Sequence, residues 1–277
     1  MQVRYFYEID CYNLNRHARL YYPLTHRMVD YFHRLFAINL NDTLDSAQKS
    51  NTITGKIVNK INCVSPEKIN WDQNLMDASY VVFDTETTGL QPFRGDRIIS
   101  LGGVVVENGE IRKDKTYEQL INPQRPIPTT ASEITGITTP MVSDKPTLFE
   151  VLPDFLDFVG NRILIAHSAT FDIAFLNIGL CQLAPIRILN PVIDTYLLSY
   201  SILPDMIEYS LESLAKRYEI NIKDRHTVLG DSFMTAEVFL NLLKQLTEKG
   251  IFTLNQLAKY LIDKRNMYYT LSLPEQR

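Results

Sequence analysis

Short apolar runs alternate with amphipathic stretches from Tyr80 onward, and this pattern is typical of an α/β domain. Strands are predicted at 80–84, twice within 97–121, at 162–167 and from 192, with Asn108-Gly109 as a hairpin turn. Helices are predicted at 146–160, from 171, at 210–218, from 229 to about 250, and at 253–262. Three early strands, followed by two strands that lie between helices, predict a mixed five-stranded sheet flanked by helices.

The first 76 residues have a different pattern. Aromatic residues are frequent there, and Met28, Val29, Phe32, Leu35 and Phe36 form an amphipathic helical stripe. The polar stretch 39–56 is predicted to be a loop or linker. We therefore divide the chain into a mainly helical extension of unknown role (1–76), a central domain (77–250) and a C-terminal helix and tail (251–277). The extension is expected to pack on the central domain, with docking to a partner as the alternative.

Composition narrows the functional classes. The chain has 277 residues, of which 45% are hydrophobic, and no apolar run approaches the ~18 residues of a membrane span. The N-terminus lacks the apolar segment of a secretion signal, so the expected location is cytoplasmic. The net charge of -4 does not suggest a nucleic-acid-binding protein, unless bound divalent cations reverse the local charge.

Acidic residues occur where predicted strands and helices end or begin. Asp84 and Glu86 lie at the end of the first strand, and residues i and i+2 of a strand share a face. Asp172 lies in the opening turn of a helix, and His226 and Asp231 lie at the start of a later one. Each has an ordinary explanation as a cap, a dipole partner or a surface group. Their ordered occurrence at element ends indicates a site.

These residues carry a resemblance to a known family. The segments DTETTGL (84–90), AHSATFD (166–172) and H-x4-D (226–231) resemble the three motifs of the DnaQ-like 3′–5′ exonucleases, the DEDDh group of the RNase H-like superfamily. ASEITGIT (131–138) is similar to the family's intervening segment, and the match covers about 80–246. Proofreading subunits and domains of bacterial DNA polymerase III belong to this family. The resemblance implies an RNase H-like fold and the removal of 3′-terminal nucleotides.

The resemblance also assigns roles to single residues. Asp84, Glu86, Asp172 and Asp231 match the ligands of two Mg2+ or Mn2+ ions, and His226 matches the general base. Oxygen ligands suit these cations, and a histidine can accept a proton from water near neutral pH. The expected substrate-contacting residues are Thr85, Thr87, Thr88, Gly89, Leu90, Thr135, Ser168 and Phe171. Ser168 stands where many relatives have Asn, and Thr135 where some have His, so substrate preference stays open.

Several alternatives remain at this point. The expected substrate is the 3′ end of DNA, preferably single-stranded, and the expected role is proofreading or repair. The alternative function is that of an exoribonuclease or an oligonucleotide-trimming enzyme. A non-catalytic binding module is disfavoured because the motif residues are intact. A DNA polymerase or a sliding clamp is an expected partner. Residues 271–274 (LSLP) resemble clamp-binding peptides, although a frayed terminus is the ordinary explanation. Asp194 is predicted to cap a helix, not to serve as a fifth ligand.

Overall fold

The computed structural model describes residues 52–65, 68–184 and 186–262. The predicted helix around 28–36 and the clamp-like peptide at 271–274 lie outside these residues. Among the helices that the structure describes, none is both long enough and apolar enough to cross a membrane.

A mixed sheet of five strands organises the fold. The strands are β1 (Ser79–Thr87), β2 (Ile98–Glu107), β3 (Glu110–Leu120), β4 (Ile163–Ala166) and β5 (Val192–Asp194), in the order β3-β2-β1-β4-β5. β1 is antiparallel to β2 and parallel to β4, and β5 is parallel to β4. The two residues between β2 and β3, Asn108 and Gly109, have the positive φ angles that a tight hairpin turn requires. The predicted sheet and hairpin are confirmed.

Helices connect the strands and cover the sheet. They are α1 (Ile53–Cys63), α2 (Thr129–Thr135), α3 (Thr139–Val142), α4 (Leu148–Val159), α5 (Thr170–Leu183), α6 (Thr195–Ile202), α7 (Leu211–Arg217) and α8 (Val228–Glu248), followed by a helix at 254–262. The structure confirms the predicted helices from α4 onward. The short helices α2 and α3 were not predicted.

Alternation along β1 divides the core into two layers. Tyr80 and Val82 pack on one face with α8, and the Tyr80 and Phe239 rings lie edge to face at 4.9 Å. Val81 and Phe83 pack on the other face with α4 and α5, where Phe83 lies 6.0 Å from Phe155. We call these the α8 layer and the α5 layer. Because side chains alternate along a strand, the next residues of β1 also point alternately to the two layers.

The prediction of a loop or linker through residue 56 is wrong at its C-terminal end, because α1 begins at Ile53. The Thr52 hydroxyl caps this helix by accepting a hydrogen bond from the Gly55 N-H at 3.2 Å. Ile57 and Ile61 are buried in the α5 layer, and burial of this stripe stabilises a helix with a polar start.

The stretches that flank residues 77–250 also contact the central domain. The two flanks are joined to each other, since the Leu75 N-H donates to the Phe252 carbonyl at 2.8 Å, and Leu75 is also fully buried in the α8 layer. Trp71 packs against the same layer. The division at residues 76 and 250 stays a proposal about the organisation of the chain. The described parts of both flanks share the core of the central domain.

Candidate active site

Asp84 and Glu86 lie at the carboxyl end of β1, on the face that carries the α8 layer. Asp84 is opposite Gly102 of β2, and a Cβ at Gly102 would lie 2.5 Å from Val228 Cγ2. Glycine at this position therefore allows the first residue of α8 to sit on the sheet beside Asp84. This close approach brings the start of α8 to the two carboxylates.

Asp231 and His226 reach the same place from the start of α8. Thr227 is the N-cap, and its hydroxyl accepts from the Gly230 N-H at 3.1 Å, which places Asp231 in the first turn. One ligand atom each from Glu86, His226 and Asp231 lie within 4.8 Å of one another. His226 has a left-handed backbone with φ of 62°, a conformation that is uncommon for residues other than glycine.

Asp172 joins this cluster from the opposite layer. It lies in the first turn of α5, and its side chain is held by Thr85 of β1. The Thr85 N-H and hydroxyl donate to Asp172 Oδ1 at 3.1 and 2.6 Å. Because Thr85 stands between Asp84 and Glu86 and points to the other face, it ties the α5 carboxylate to the edge where the other acids converge.

Burial and nearby negative charges raise the pKa of the carboxylates in this cluster. Burial raises the pKa of Asp84 well above its ordinary range, and Asp172, Asp231 and Glu86 add to this effect. Burial, reinforced by Asp231, raises the pKa of Glu86 to about 7. Burial also raises the pKa of Asp172 to about 7, although the hydrogen bonds from Thr85 oppose it. Four acids in one place, three of them buried, do not ionise together without a cation to compensate them.

The cluster fits a divalent cation by its donor atoms and its charge. Asp231 is 4% exposed, and its Oδ1 is buried with no hydrogen-bond partner, although buried carboxylate oxygens are normally bonded. Hard cations such as Mg2+ and Mn2+ take carboxylate oxygens as ligands. Asp84, Glu86, Asp172 and Asp231 are the residues that would hold such ions.

The predicted substrate-contacting threonines after Asp84 mostly use their hydroxyls inside the protein. Besides Thr85, the Thr87 hydroxyl donates to the Gly89 carbonyl at 2.7 Å, and the Thr88 hydroxyl donates to Asp96 Oδ1 at 3.0 Å. Leu90 is 80% exposed at the tip of this loop. The hydroxyls therefore shape the loop, and Leu90 is the most exposed large hydrophobic residue among those predicted to contact substrate.

A second loop element carries Ser168 and Phe171, from the motif that contains Asp172. Ser168 is exposed with φ of 60°, and its N-H donates to Asp194 Oδ1 at 3.0 Å. Asp194 also accepts from the Tyr196 N-H at 2.9 Å, which confirms it as the cap of α6. The Phe171 ring packs on Phe175 with 4.9 Å between centroids. Asp194 thus joins this loop to the end of β5.

Thr135 lies at the end of α2. Its hydroxyl donates to the Ala131 carbonyl at 2.9 Å and accepts from the Ile137 N-H at 3.1 Å. These bonds fix the turn into Thr138 and α3, where a shorter or apolar side chain would leave the backbone groups without these partners. No hydrogen bond in the described residues joins the Thr135 side chain to the four acids.

Two residues near the cluster were not found from the sequence. Arg225 pairs through Nη1 with Asp231 Oδ2, and its Nε donates to Glu212 Oε1 at 2.6 Å. Asp96 holds the loop after β1 through Thr88 and the Gln91 N-H. A basic residue directly before His226 in an acidic site was the available signal for Arg225. Asp96 had no signal, because its role depends on how the loop closes.

Comparison with known proteins agrees with this geometry. The family model described as "Exonuclease" (RNase_T) matches residues 81–239. The PolC-type DNA polymerase III of Bacillus subtilis is 42% identical over 178 residues, which are 64% of this chain and 12% of that protein. The PolC-type protein of Clostridium perfringens is 37% identical over 201 residues, 71% of this chain and 14% of its own length. The chain therefore spans only a small part of these relatives.

Two solved structures share the fold. Exonuclease X in complex with 5′ overhanging duplex DNA is 28% identical, with a TM-score of 0.52, and covers 66% of this chain and 99% of its own. The nuclease domain of 3′hExo, a DEDDh family member bound to rAMP, is 20% identical, with a TM-score of 0.54, and covers 62% of this chain and 94% of its own. With the family model matched over most of the sheet and α8, the chain belongs to the exonuclease family, as a DnaQ-like 3′–5′ exonuclease of the RNase H-like fold.

Proposed function

We propose that this chain removes 3′-terminal nucleotides from single-stranded DNA as 5′-monophosphates, in a reaction that requires divalent cations. The observation that carries the proposal is the convergence of Asp84, Glu86, Asp172 and Asp231 at the end of β1, with His226 beside two of them. A surface cluster with a structural role would not bury three of these acids to less than 10% exposure.

The residues of the chain divide the chemistry among them. Bound Mg2+ or Mn2+ supplies the polarisation of water and of the scissile phosphate. Asp84 and Glu86 come from the rigid end of a central strand, and Thr85 holds Asp172, so these donor oxygens are positioned before any ligand arrives. His226 is half-buried next to Glu86 and Asp231, where it accepts the proton of the attacking water.

The loop after β1 receives the 3′-terminal nucleotide in this proposal. Gly89 has no room for a side chain, because a Cβ there would lie 2.5 Å from Asp96 Oδ2. The loop can therefore close tightly and keep Leu90 at its tip, where an exposed apolar side chain contacts a base more favourably than it contacts water. Binding at one strand end neutralises few phosphates, so an acidic protein can perform it.

The relatives favour DNA as the substrate. The PolC-type proteins are named as DNA polymerase III, and the Exonuclease X structure contains duplex DNA with a 5′ overhang. We therefore propose a role beside a DNA polymerase, in proofreading or repair, with RNA cleavage as the alternative that the experiment separates. The preference for single strands follows the family resemblance of the three motifs.

The test gives the purified chain labelled single-stranded DNA, 3′-mismatched duplex DNA and RNA of the same sequence. Mononucleotides should appear progressively with Mg2+ or Mn2+ and stop when chelator is added. Asp84→Asn should lower the rate by orders of magnitude, and His226→Ala should lower it roughly 10²- to 10⁴-fold, the scale of a lost general base. Asp77→Asn, in the exposed turn before β1, is the matched control and should retain the wild-type rate.

Each contrary outcome has its own meaning. Faster cleavage of RNA than of DNA would replace the proposed substrate by the exoribonuclease alternative. Metal-dependent binding of DNA without cleavage would make the chain a binding module. Equal rates for wild type, Asp84→Asn and His226→Ala would refute the proposed site.

A further inference from the structure

Arg225 bridges two carboxylates at the edge of the acidic cluster. Its Nε donates to Glu212 Oε1 at 2.6 Å, and its Nη1 pairs with Asp231 Oδ2. Glu212 lies in the first turn of α7, and its side chain is 36% exposed, whereas that of Asp231 is only 6% exposed. The guanidinium thus connects a half-solvated acid to a buried one.

The two oxygens of Asp231 have different environments. Oδ2 is held by Arg225, while Oδ1 is buried without a hydrogen-bond partner. A planar guanidinium that is anchored elsewhere restricts the rotation of the carboxylate that it binds. With Oδ2 held, Oδ1 is the oxygen of Asp231 that remains available to a ligand. Glu86 and His226 each have a possible ligand atom within 4.8 Å of a carboxylate oxygen of Asp231.

The backbone around Arg225 is held in place before α8 begins. Asp224 and His226, on either side of Arg225, both have left-handed backbones. The Asp224 carbonyl accepts from the Thr227 hydroxyl at 2.7 Å, and a Cβ at Gly230 would lie 2.1 Å from the same oxygen. Because the first turn of α8 packs against this carbonyl, the segment that carries Arg225 and His226 has little freedom to move.

We propose that Arg225, anchored by Glu212, is a positioning residue that orients Asp231 so that Oδ1 faces a bound divalent cation. The inference rests on the proposed function, because Asp231 is a ligand only in that site. It adds a link from α7 through Arg225 to the site, which none of the three motifs contains. Partners that orient a metal ligand commonly change metal affinity by about 10- to 100-fold when they are removed.

A role for Arg225 as a competitor of the cation would change metal affinity in the opposite direction. If Arg225 instead competed with the cation for Asp231, its removal would strengthen metal binding, because a positive charge would leave the site. A direct measurement of metal affinity therefore decides between the two. The carboxylate geometry favours orientation, since Arg225 contacts only one of the two oxygens and its charge is already shared with Glu212.

The experiment titrates the whole chain with Mn2+ and measures free Mn2+ by electron paramagnetic resonance. Arg225→Met should weaken Mn2+ binding by about 10- to 100-fold, Glu212→Ala should weaken it less, and Arg225→Lys should recover part of the loss. Arg112→Met is the matched control. Arg112 also bridges two carboxylates, Glu107 and Asp114, but Glu107 is paired with Ser79 at the opposite end of β1, so Mn2+ binding should not change.

Circular dichroism and thermal unfolding in the presence of chelator verify that each variant is folded. If Arg225→Met does not fold, the Mn2+ affinity of Glu212→Ala decides between orientation and competition. Unchanged or tighter Mn2+ binding by the folded variants would overturn the inference. This failure is distinct from failure of the proposed function. If the wild type binds Mn2+ but cleaves nothing, the function is wrong, whereas if it binds and cleaves but Arg225→Met binds equally well, only the role of Arg225 is wrong.

Discussion

Replacement of Glu86 by Gln should change the pH dependence of stability in the metal-free protein. Burial, followed by repulsion from Asp231, raises the pKa of Glu86 from its ordinary 4.5 to about 7. A shift of this size corresponds to about 3 kcal/mol, at 1.36 kcal/mol for each pH unit. Coupling to the neighbouring acids makes this an upper bound for a single residue.

The direction in which stability changes with pH follows from whether the folded or the unfolded chain holds the Glu86 proton more tightly. Below pH 4.5 Glu86 is protonated in both the folded and the unfolded chain, and its contribution to stability is fully present. As pH rises towards about 7, the unfolded chain loses this proton first, so the free energy of unfolding falls. Above pH 7 the loss is complete. Glu86→Gln has no such proton and avoids the loss.

Urea unfolding at pH 4, 6 and 8 without divalent cations measures this effect. At pH 4 the variant and the wild type should have nearly equal stability, and at pH 8 the variant should be more stable by up to about 3 kcal/mol. Saturating Mn2+ at pH 8 should reverse the order, because an amide is a poorer ligand than a carboxylate. Glu237→Gln, an exposed acid of α8, is the control. Parallel pH profiles for wild type and Glu86→Gln would refute the reasoning.

Two further substitutions test the residues that shape the site. Thr85→Val removes the 2.6 Å hydrogen bond to Asp172 and should lower kcat roughly tenfold, because a hydrogen bond to a charged group is lost. Thr85→Ser keeps the hydroxyl and should restore kcat. An unchanged kcat for the valine variant would contradict the role of Thr85. Asp96→Ala removes the carboxylate that accepts hydrogen bonds from the Thr88 hydroxyl and the Gln91 N-H. Steady-state kinetics should show a several-fold higher KM for single-stranded DNA and a nearly constant kcat. A fall in kcat alone would contradict a role limited to the loop.

Much of the central domain was predictable because its central strands are short, continuous apolar runs. Tyr80 and Val82 pack in one layer and Val81 and Phe83 in the other, and a continuous apolar run of this length is the signal of a strand buried on both faces. The Asn108-Gly109 turn and the cap at Asp194 follow from local chemistry alone. Local rules are sufficient where an element's partners do not change its preference.

The missed elements depend on tertiary contacts. The first turns of α1 are polar and include Gly55, and only the packing of Ile57 and Ile61 in the α5 layer shows why this stretch is helical. Helices α2 and α3 have seven and four residues, too few for an apolar period to be recognised. A sequence without coordinates carries no record of these contacts.

In the site, too, some features follow from the local sequence and others depend on tertiary contacts. The motifs identified the acids and His226, but they did not show that the hydroxyls of Thr87 and Thr88 bond within their own loop. A threonine after a catalytic strand is compatible with either a ligand contact or an internal bond. The choice depends on where Gly89 and Asp96 meet, which is a property of the folded loop.

The acidic cluster lies where the two layers meet at one edge of the sheet. Asp172 belongs to an element of the α5 layer, Asp231 to the main helix of the α8 layer, and β1 separates them. In the proposed function, cations held between these side chains would join the two layers of the core non-covalently. Metal binding and resistance to unfolding would then be thermodynamically linked, so that depletion of divalent ions would lower the stability of the fold as well as the activity.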